Sequence, residues 1–336
     1  MRLSLRWGLR EGNTLPFLCS SAAATKGSIA VWELAFRRLL RGRLRASLRA
    51  STLARRPNRR TRALQIAVGL WTLFYLLIAI DGGSSFDSHA YWLTRHGIHY
   101  FSDPGKHDAY LYSPAFAHAI RPLTLLPWPV FGLIWASLAT ATYLWLARAV
   151  EPRWRIPLVA LCLGDIVYGN VWWLFAITLA FGARRPALWA IPLLLKLTPA
   201  VGLIWFAVRR EWRQLTIAVT VAALITSLSF LVAPTAWIDW IGFLRQDHDP
   251  WWPDQPVPLA VRLLGAFALT VYAARNDRPS LLPAALWLAS PMFSVNGVAI
   301  FAVVPYLAAR QRPAPLEGVA KPAIAAGDSV VEPARA

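Results

Sequence analysis

Apolar runs of bilayer-spanning length recur from Ala63 to Ala309, and the charged residues between them are mostly arginine. A soluble core cannot absorb that much apolar surface, whereas a hydrocarbon layer of about 30 Å selects runs of about 20 such residues. Inside lipid every backbone polar group must be satisfied within the chain, so runs of this length are helices. The expected fold class is therefore all-α, a polytopic transmembrane helical protein with about 9–10 membrane segments. Composition agrees, at 57% hydrophobic and 15% charged. The formal net charge of +18 would suit a nucleic-acid binder if it were spread over a folded surface, but residues 1–62 hold fifteen Lys/Arg against two Glu. The remaining positive charge falls in short clusters between apolar runs, as in cytoplasmic loops, and no nucleic-acid partner is expected. With only Cys19 and Cys162 in the chain, neither a disulfide framework nor a cysteine metal set is available.

Three regions follow. Residues 1–62 form a basic arm expected in the cytoplasm. Within it, residues 29–48 read either as a basic amphipathic helix on anionic lipid or as the product of a misassigned translation start in an arginine-biased coding sequence. Residues 63–310 form the membrane domain, and residues 311–336, rich in Ala and Pro, are expected to be a disordered cytoplasmic tail.

The arginine clusters fix an expected topology. Ala63–Ile80 is uncharged and leads outward, so residues 81–113, with four of the seventeen acidic residues and four of the six histidines, form the first external loop. Pro114–Pro127 is short and contains Arg121, which suits an interfacial or re-entrant segment, and Pro129–Ala147 returns to Arg148, Arg153 and Arg155. If the later clusters at Arg184, Arg209, Arg275 and Arg310 all lie inside, each intervening run crosses an even number of times. Ile156–Ala183, broken at Gly169–Asn170, and Pro186–Val208, broken at Lys196–Pro199, are then hairpins too short to cross fully. Their tips would line a polar internal cavity. The alternative makes Pro186–Val208 one ordinary span and reverses everything after it.

Asp87 sits just beyond the first span, at the expected start of a short surface helix. It can serve as a helix cap, or as a base that takes a proton from a substrate hydroxyl beside the cavity. Asp81, Asp103 and Asp108 are expected to be solvated turn residues. His89, His96, His99 and His107 raise the possibility of a metal, since His96 and His99 are spaced to share a helical face. No carboxylate joins them in a known metal motif, so no metal is expected. Lys196 lies at membrane depth, where an unpaired ammonium costs about 2.5 to 3.5 kcal/mol. It either snorkels to an interface or meets an anion such as a lipid-borne phosphate. Asp165 is a second buried charge, with an arginine as a candidate partner. In the external loop 234–258, Trp237, Trp240, Trp251 and Trp252 alternate with Arg245, Asp247, His248, Asp249 and Asp254. That pattern suits sugar rings as well as it suits ordinary interface anchoring.

Taken in order, Asp87 with Tyr91, Tyr112-Ser113-Pro114, the stretch Pro122 to Pro127 followed by Trp135, and Lys196-Leu197-Thr198-Pro199 resemble glycosyltransferase family 87. This is a family of polyprenyl-phosphate-sugar-dependent glycosyltransferases of GT-C fold that includes mannosyltransferases. The likeness covers about residues 65–310. Two positions depart from it. Gly169-Asn170-Val171-Trp172 keeps one of two amides of the family's Gly-Gln-x-Asn, and the segment Ser290 to Asn296 lacks a following histidine. The resemblance implies a multi-pass enzyme of the bacterial inner membrane, with its N-terminus cytoplasmic. It would transfer a hexose, mannose being the expected one, from a polyprenyl-phosphate donor to a glycolipid or glycan acceptor on the external face, with inversion. Asp87 would be the catalytic base. Lys196, with Arg121 or Arg245, would offset charge on the departing phosphate. His89, Tyr91, Tyr112, Asn170, His248, Trp251 and Asn296 would contact substrate, and no cofactor or metal is implied. A lipid or sugar transporter or flippase, or a catalytically silent subunit, are the competing expectations.

Overall fold

A computed structural model describes residues 59–80, 85–100, 107–245, 257–292 and 294–311. The chain divides into two compact units, Met1–Ala63 and Leu64–Ala336. Of the first, only the opening of helix α1 is described, so the basic arm, like the tail beyond Gln311, lies outside the described residues.

Among the described residues there is no strand, and the elements follow one another as short and long helices. Helix α1 is Arg59–Ile80, α2 Phe86–Leu93, α3 Pro114–Thr124 and α4 Trp128–Leu146. They are followed by α5 Pro152–Leu161, α6 Leu163–Tyr168, α7 Trp172–Phe181, α8 Ala190–Leu195 and α9 Ile204–Val208. The last five are α10 Trp212–Val232, α11 Pro234–Arg245, α12 Leu259–Arg275, α13 Leu282–Leu288 and α14 Val304–Gln311. Tighter 3₁₀ turns occupy Pro186–Trp189, Thr198–Leu203 and Val295–Val303.

Three stretches, Arg62–Ile80, Trp128–Ala149 and Trp212–Val232, are long and apolar enough to cross a membrane. The first and third keep most of their apolar side chains on the outside: Ile66, Leu70, Phe74 and Leu77 on α1, and Leu224, Leu228, Leu231 and Val232 on α10 are all exposed. Water would not tolerate such faces and lipid does, so the chain is an all-α membrane protein. Prolines inside and at the ends of the other helices keep them short, as at Pro157, Pro186 and Pro199.

Helix α4 is the hub, with α2, α5, α6, α7 and the 295–303 turn packed around it. Its buried face joins an aromatic chain in which Trp135 meets Tyr91 edge-on at 5.4 Å, stacks on Phe131 at 5.8 Å and meets Trp173 edge-on at 5.4 Å. Both short hairpins expected from the sequence are present. In the first, the chain turns at Gly169, in a left-handed conformation (φ 67), between α6 and α7. In the second, Gly202 lies so close to the Trp189 ring that a Cβ there would overlap it. Residues 13 apart along a continuous helix would be about 20 Å apart, so Pro186–Val208 doubles back and is not a single span. Its tip is Lys196, the extended residue between α8 and the 198–203 turn.

Two local expectations change. The helical turn ends at His96, and Gly97 leaves it at φ 130, so His96 and His99 do not share a helical face. The first half of the 234–258 loop is helix α11; its residues 246–256, with His248, Trp251 and Trp252, lie outside the described residues.

Candidate functional site

Helix α2 opens on Ser85, whose left-handed backbone (φ 65) makes no side-chain cap. Asp87, in the first turn, is therefore placed to help the helix electrostatically, yet its carboxylate is engaged elsewhere. The Asn170 Nδ2 donates to Asp87 Oδ2 at 2.7 Å, while Asn170 Oδ1 accepts from the Val171 amide at 2.7 Å. The second bond fixes which way the amide faces, since the Val171 N–H needs an acceptor. Burial pushes the Asp87 carboxyl up to about 6, with the Lys196 ammonium, the Asn170 amide and His107 opposing that rise. A carboxylate of this kind is ionised at neutral pH yet still basic enough to accept a proton.

Asn170 is held by its own surroundings. The Trp135 Nε1 donates to the Gly169 carbonyl at 2.9 Å, and the Asn170 amide donates to the Asp165 carbonyl at 3.0 Å. At Gly169 a Cβ would overlap the Ser88 hydroxymethyl group, so α2 can settle onto the hairpin tip only because that residue is glycine. The Ser85 amide completes the junction by donating to the Val167 carbonyl at 2.6 Å.

Beneath this junction Asp165 is fully buried. Its carboxylate accepts from the Tyr143 hydroxyl at 2.6 Å and from the Trp172 and Trp173 amides at 3.1 Å each. It thus caps helix α7 and ties it to α4. This corrects the expectation of an arginine partner: a helix N-terminus supplies two N–H groups and a partial positive charge without a desolvated guanidinium.

The Lys196 Nζ lies 4.5 Å from the centroid of the Trp172 ring and 6.0 Å from that of Tyr112. Among the described residues no carboxylate comes within ion-pair distance of it, although its charge bears on Asp87. It is half-buried in an aromatic corner, where cation–π attraction offsets part of its desolvation. The indole N–H of Trp172, whose ring Lys196 faces, is buried without a hydrogen-bond partner, as are those of Trp71, Trp173 and Trp189 and the hydroxyl of Thr198, two residues along from Lys196. Such orphaned donors are uncommon in native proteins, and the Trp172 N–H is the one on a ring that Lys196 touches.

The Tyr91 hydroxyl donates to that of Tyr112 at 3.2 Å, and burial holds both phenols well above their usual range. The Asp87 charge contributes to that rise in each. No described contact links Asn296 directly to Asp87 or Lys196. The Asn296 Oδ1 accepts from the Tyr75 hydroxyl at 3.0 Å, and the Tyr75 ring meets that of Tyr168, which in turn meets Phe86, the neighbour of Asp87. His89 turns to the rim, against Asp108 at 2.5 Å.

Of the expected site residues, Asp87, Tyr91, Tyr112, Asn170 and Lys196 come together. Arg121 and Arg245 are exposed in the last turns of α3 and α11, and no described contact links either to Asp87 or Lys196. Trp237 and Trp240 spend their indole N–H groups on Ser229 and on the Leu111 carbonyl, so these two are packing residues. Sequence reasoning missed Trp172 and Tyr168, which look like ordinary core aromatics until the hairpin folds.

Comparison with known proteins returns one family. Glycosyltransferase family 87 matches residues 110–321, an interval that includes Tyr112, Asn170 and Lys196 and begins after Asp87. No curated protein and no solved structure gives a significant match. Since the matched interval covers more than half of the chain, this membrane protein belongs to glycosyltransferase family 87 and is a glycosyltransferase.

Proposed function

We propose that the protein transfers a hexose, mannose by family resemblance, from a polyprenyl-phosphate donor to a glycolipid or glycan acceptor, with inversion. The reaction would take place on the external face of a bacterial inner membrane, with the N-terminus in the cytoplasm. The observation that carries this reading is the meeting of Asp87, Asn170 and Lys196 from three separate segments. It joins a carboxylate with a raised pKa to an isolated cation in an aromatic corner.

In the reaction Asp87 accepts the proton of the acceptor hydroxyl, and the freed oxygen attacks the anomeric carbon. The bond from that carbon to the phosphate oxygen breaks, and polyprenyl phosphate leaves with the electron pair. Lys196 offsets the charge gathering on the departing phosphate, the kind of fixed electrostatic help that is worth most where water is excluded. The unpaired Trp172 N–H, on the ring that Lys196 faces, supports this reading, because a phosphate or sugar oxygen is an acceptor that would suit it.

The test supplies membranes containing the protein with labelled polyprenyl-phosphate mannose and mannose-bearing glycolipid acceptors. Transfer by the wild type and a loss of about 10²-fold or more in Asp87→Asn are expected. Full transfer by Asp87→Asn would overturn the role of the base. Movement of the donor across the bilayer without a new glycosidic bond would favour a flippase.

A further inference from the structure

We propose that His89, His107 and Asp108 form a binding site for one divalent transition-metal cation, of which zinc(II) fits the donors best. The Nδ1 atoms of both histidines converge on the same oxygen, Asp108 Oδ1, at 2.5 Å and 2.9 Å. All three ligand atoms lie within 4.8 Å of one another. Tetrahedral zinc with bonds of about 2.0–2.1 Å spaces its ligand atoms about 3.3 Å apart, so small side-chain rotations bring this trio to coordination geometry. Two imidazoles and a carboxylate are a donor set for zinc and its first-row neighbours; magnesium and calcium demand more oxygen ligands. Three protein ligands also leave a coordination position for water or substrate.

The surroundings orient the ligands, which a chance surface cluster lacks. His89 stacks on Trp92 at 5.6 Å and meets the edge of Trp128 at 4.7 Å, and His107 meets Phe86 edge-on at 5.1 Å. Asp108 has a left-handed backbone (φ 68), and its Oδ1 is met by the Nδ1 atoms of both imidazoles. The site is reachable, with side-chain exposures of 26%, 48% and 29% for His89, His107 and Asp108. Sequence spacing drew attention to His96 and His99. The fold instead recruits His107 and Asp108 from across the loop, and with them the carboxylate that the spacing argument lacked.

A dication here would pin residues 107–108 to helix α2, two residues along from Asp87. The proposal stands independently of the transfer reaction, and its test reads metal binding alone. Full-length protein, purified in detergent without a histidine tag and stripped with a chelator, is titrated with Zn²⁺ near neutral pH. One equivalent is expected to bind, and Co²⁺ in its place is expected to give visible d–d absorption. His107→Ala and Asp108→Asn should each weaken binding at least about tenfold, while His99→Ala should leave it unchanged. His107 is half-exposed, so its variant is expected to keep the wild-type elution volume and melting temperature. Failure of the wild type to bind Zn²⁺, binding as tight as the wild type's by both ligand variants, or displacement of Zn²⁺ by equimolar Mg²⁺ or Ca²⁺ would each overturn the proposal.

Discussion

Replacing Asn170 by Ala should move the acid limb of the transfer rate without lowering its plateau. The Asn170 amide donates to Asp87 Oδ2 at 2.7 Å and favours the ionised form, against the burial that pushes this carboxyl up to about 6. A hydrogen bond to a charged group contributes about 1.5–3 kcal/mol. Asp87 keeps a solvent-accessible edge and water can replace part of the lost bond, so the lower figure applies. At about 1.36 kcal/mol per pKa unit, that is a rise of about one unit, from about 6 to about 7. The sign follows from the base needing its proton off. The wild-type rate should be half-maximal near pH 6 and fall about tenfold for each pH unit below that, while the variant should be half-maximal at about pH 7. At about pH 8.5 the two should agree within about threefold, provided acceptor and donor are saturating. The assay is labelled-mannose transfer in detergent micelles across this range, with melting temperature recorded at each pH to exclude unfolding. An acid limb unmoved in Asn170→Ala, or a uniform loss at every pH, would refute the tuning argument and leave Asn170 a packing residue.

Other outcomes follow from the same geometry. Asp87→Asn should raise stability at neutral pH by about 2 kcal/mol, because a carboxyl moved from 3.8 to about 6 by burial costs stability when ionised, less the share that solvent screens. That cost is present above pH 6 and gone below the unfolded value, so the melting temperatures of variant and wild type should converge as pH falls towards 4; a constant gap would contradict it. Lys196→Met should lower turnover by about 10²-fold or more with no loss of melting temperature, since the ammonium has no carboxylate within ion-pair distance among the described residues. Gly169→Ala should cost about 2–4 kcal/mol, from the left-handed backbone and the overlap with Ser88, measured as a lower melting temperature. Asp165→Ala should be worse, since it strands the Tyr143 hydroxyl and two α7 amides in a buried site at about 1–3 kcal/mol each; adding Tyr143→Phe should recover part of that loss, and an unchanged yield and melting temperature would refute the cap.

Much of this was legible in the sequence, and the divide is physical. Uncharged runs and arginine clusters report directly on lipid, so α1, α4 and α10 could be read from hydropathy alone. The two hairpins were readable because glycine, asparagine and proline interrupt runs too short to cross twice. Lys196 stood out because an ammonium among leucines demands an explanation. Asp165 was noticed but given the wrong partner, since capping by backbone amides leaves no trace in residue identity. The meeting of His107 and Asp108 with His89 was hidden because it depends on how the loop returns to α2. Trp172 was invisible as a site residue, since its ring joins Lys196 only once the two hairpin tips lie side by side.

The convergence has an energetic reason. A short hairpin leaves its tip with unpaired backbone and polar side chains at a depth where lipid cannot satisfy them. Here the two tips and α2 meet much of that need between them. The 169–171 tip is capped by Asp165, and its asparagine satisfies Asp87 on α2. The Lys196 tip rests on Trp172, the first residue of the helix that Asp165 caps, and its charge offsets that of Asp87. Remove Asp165 or Asn170 and a buried amide or carboxylate loses its partner, so α2 and the 169–171 tip are fixed together more firmly than any one contact would hold them. What remains unsatisfied includes the Trp172 indole N–H, on the ring that Lys196 faces. A membrane protein that needs only to be stable would have filled that corner with leucine. Keeping it polar, cationic and adjacent to a raised carboxyl is costly to the fold, and in the proposed reaction that cost is recovered at the moment the phosphate departs.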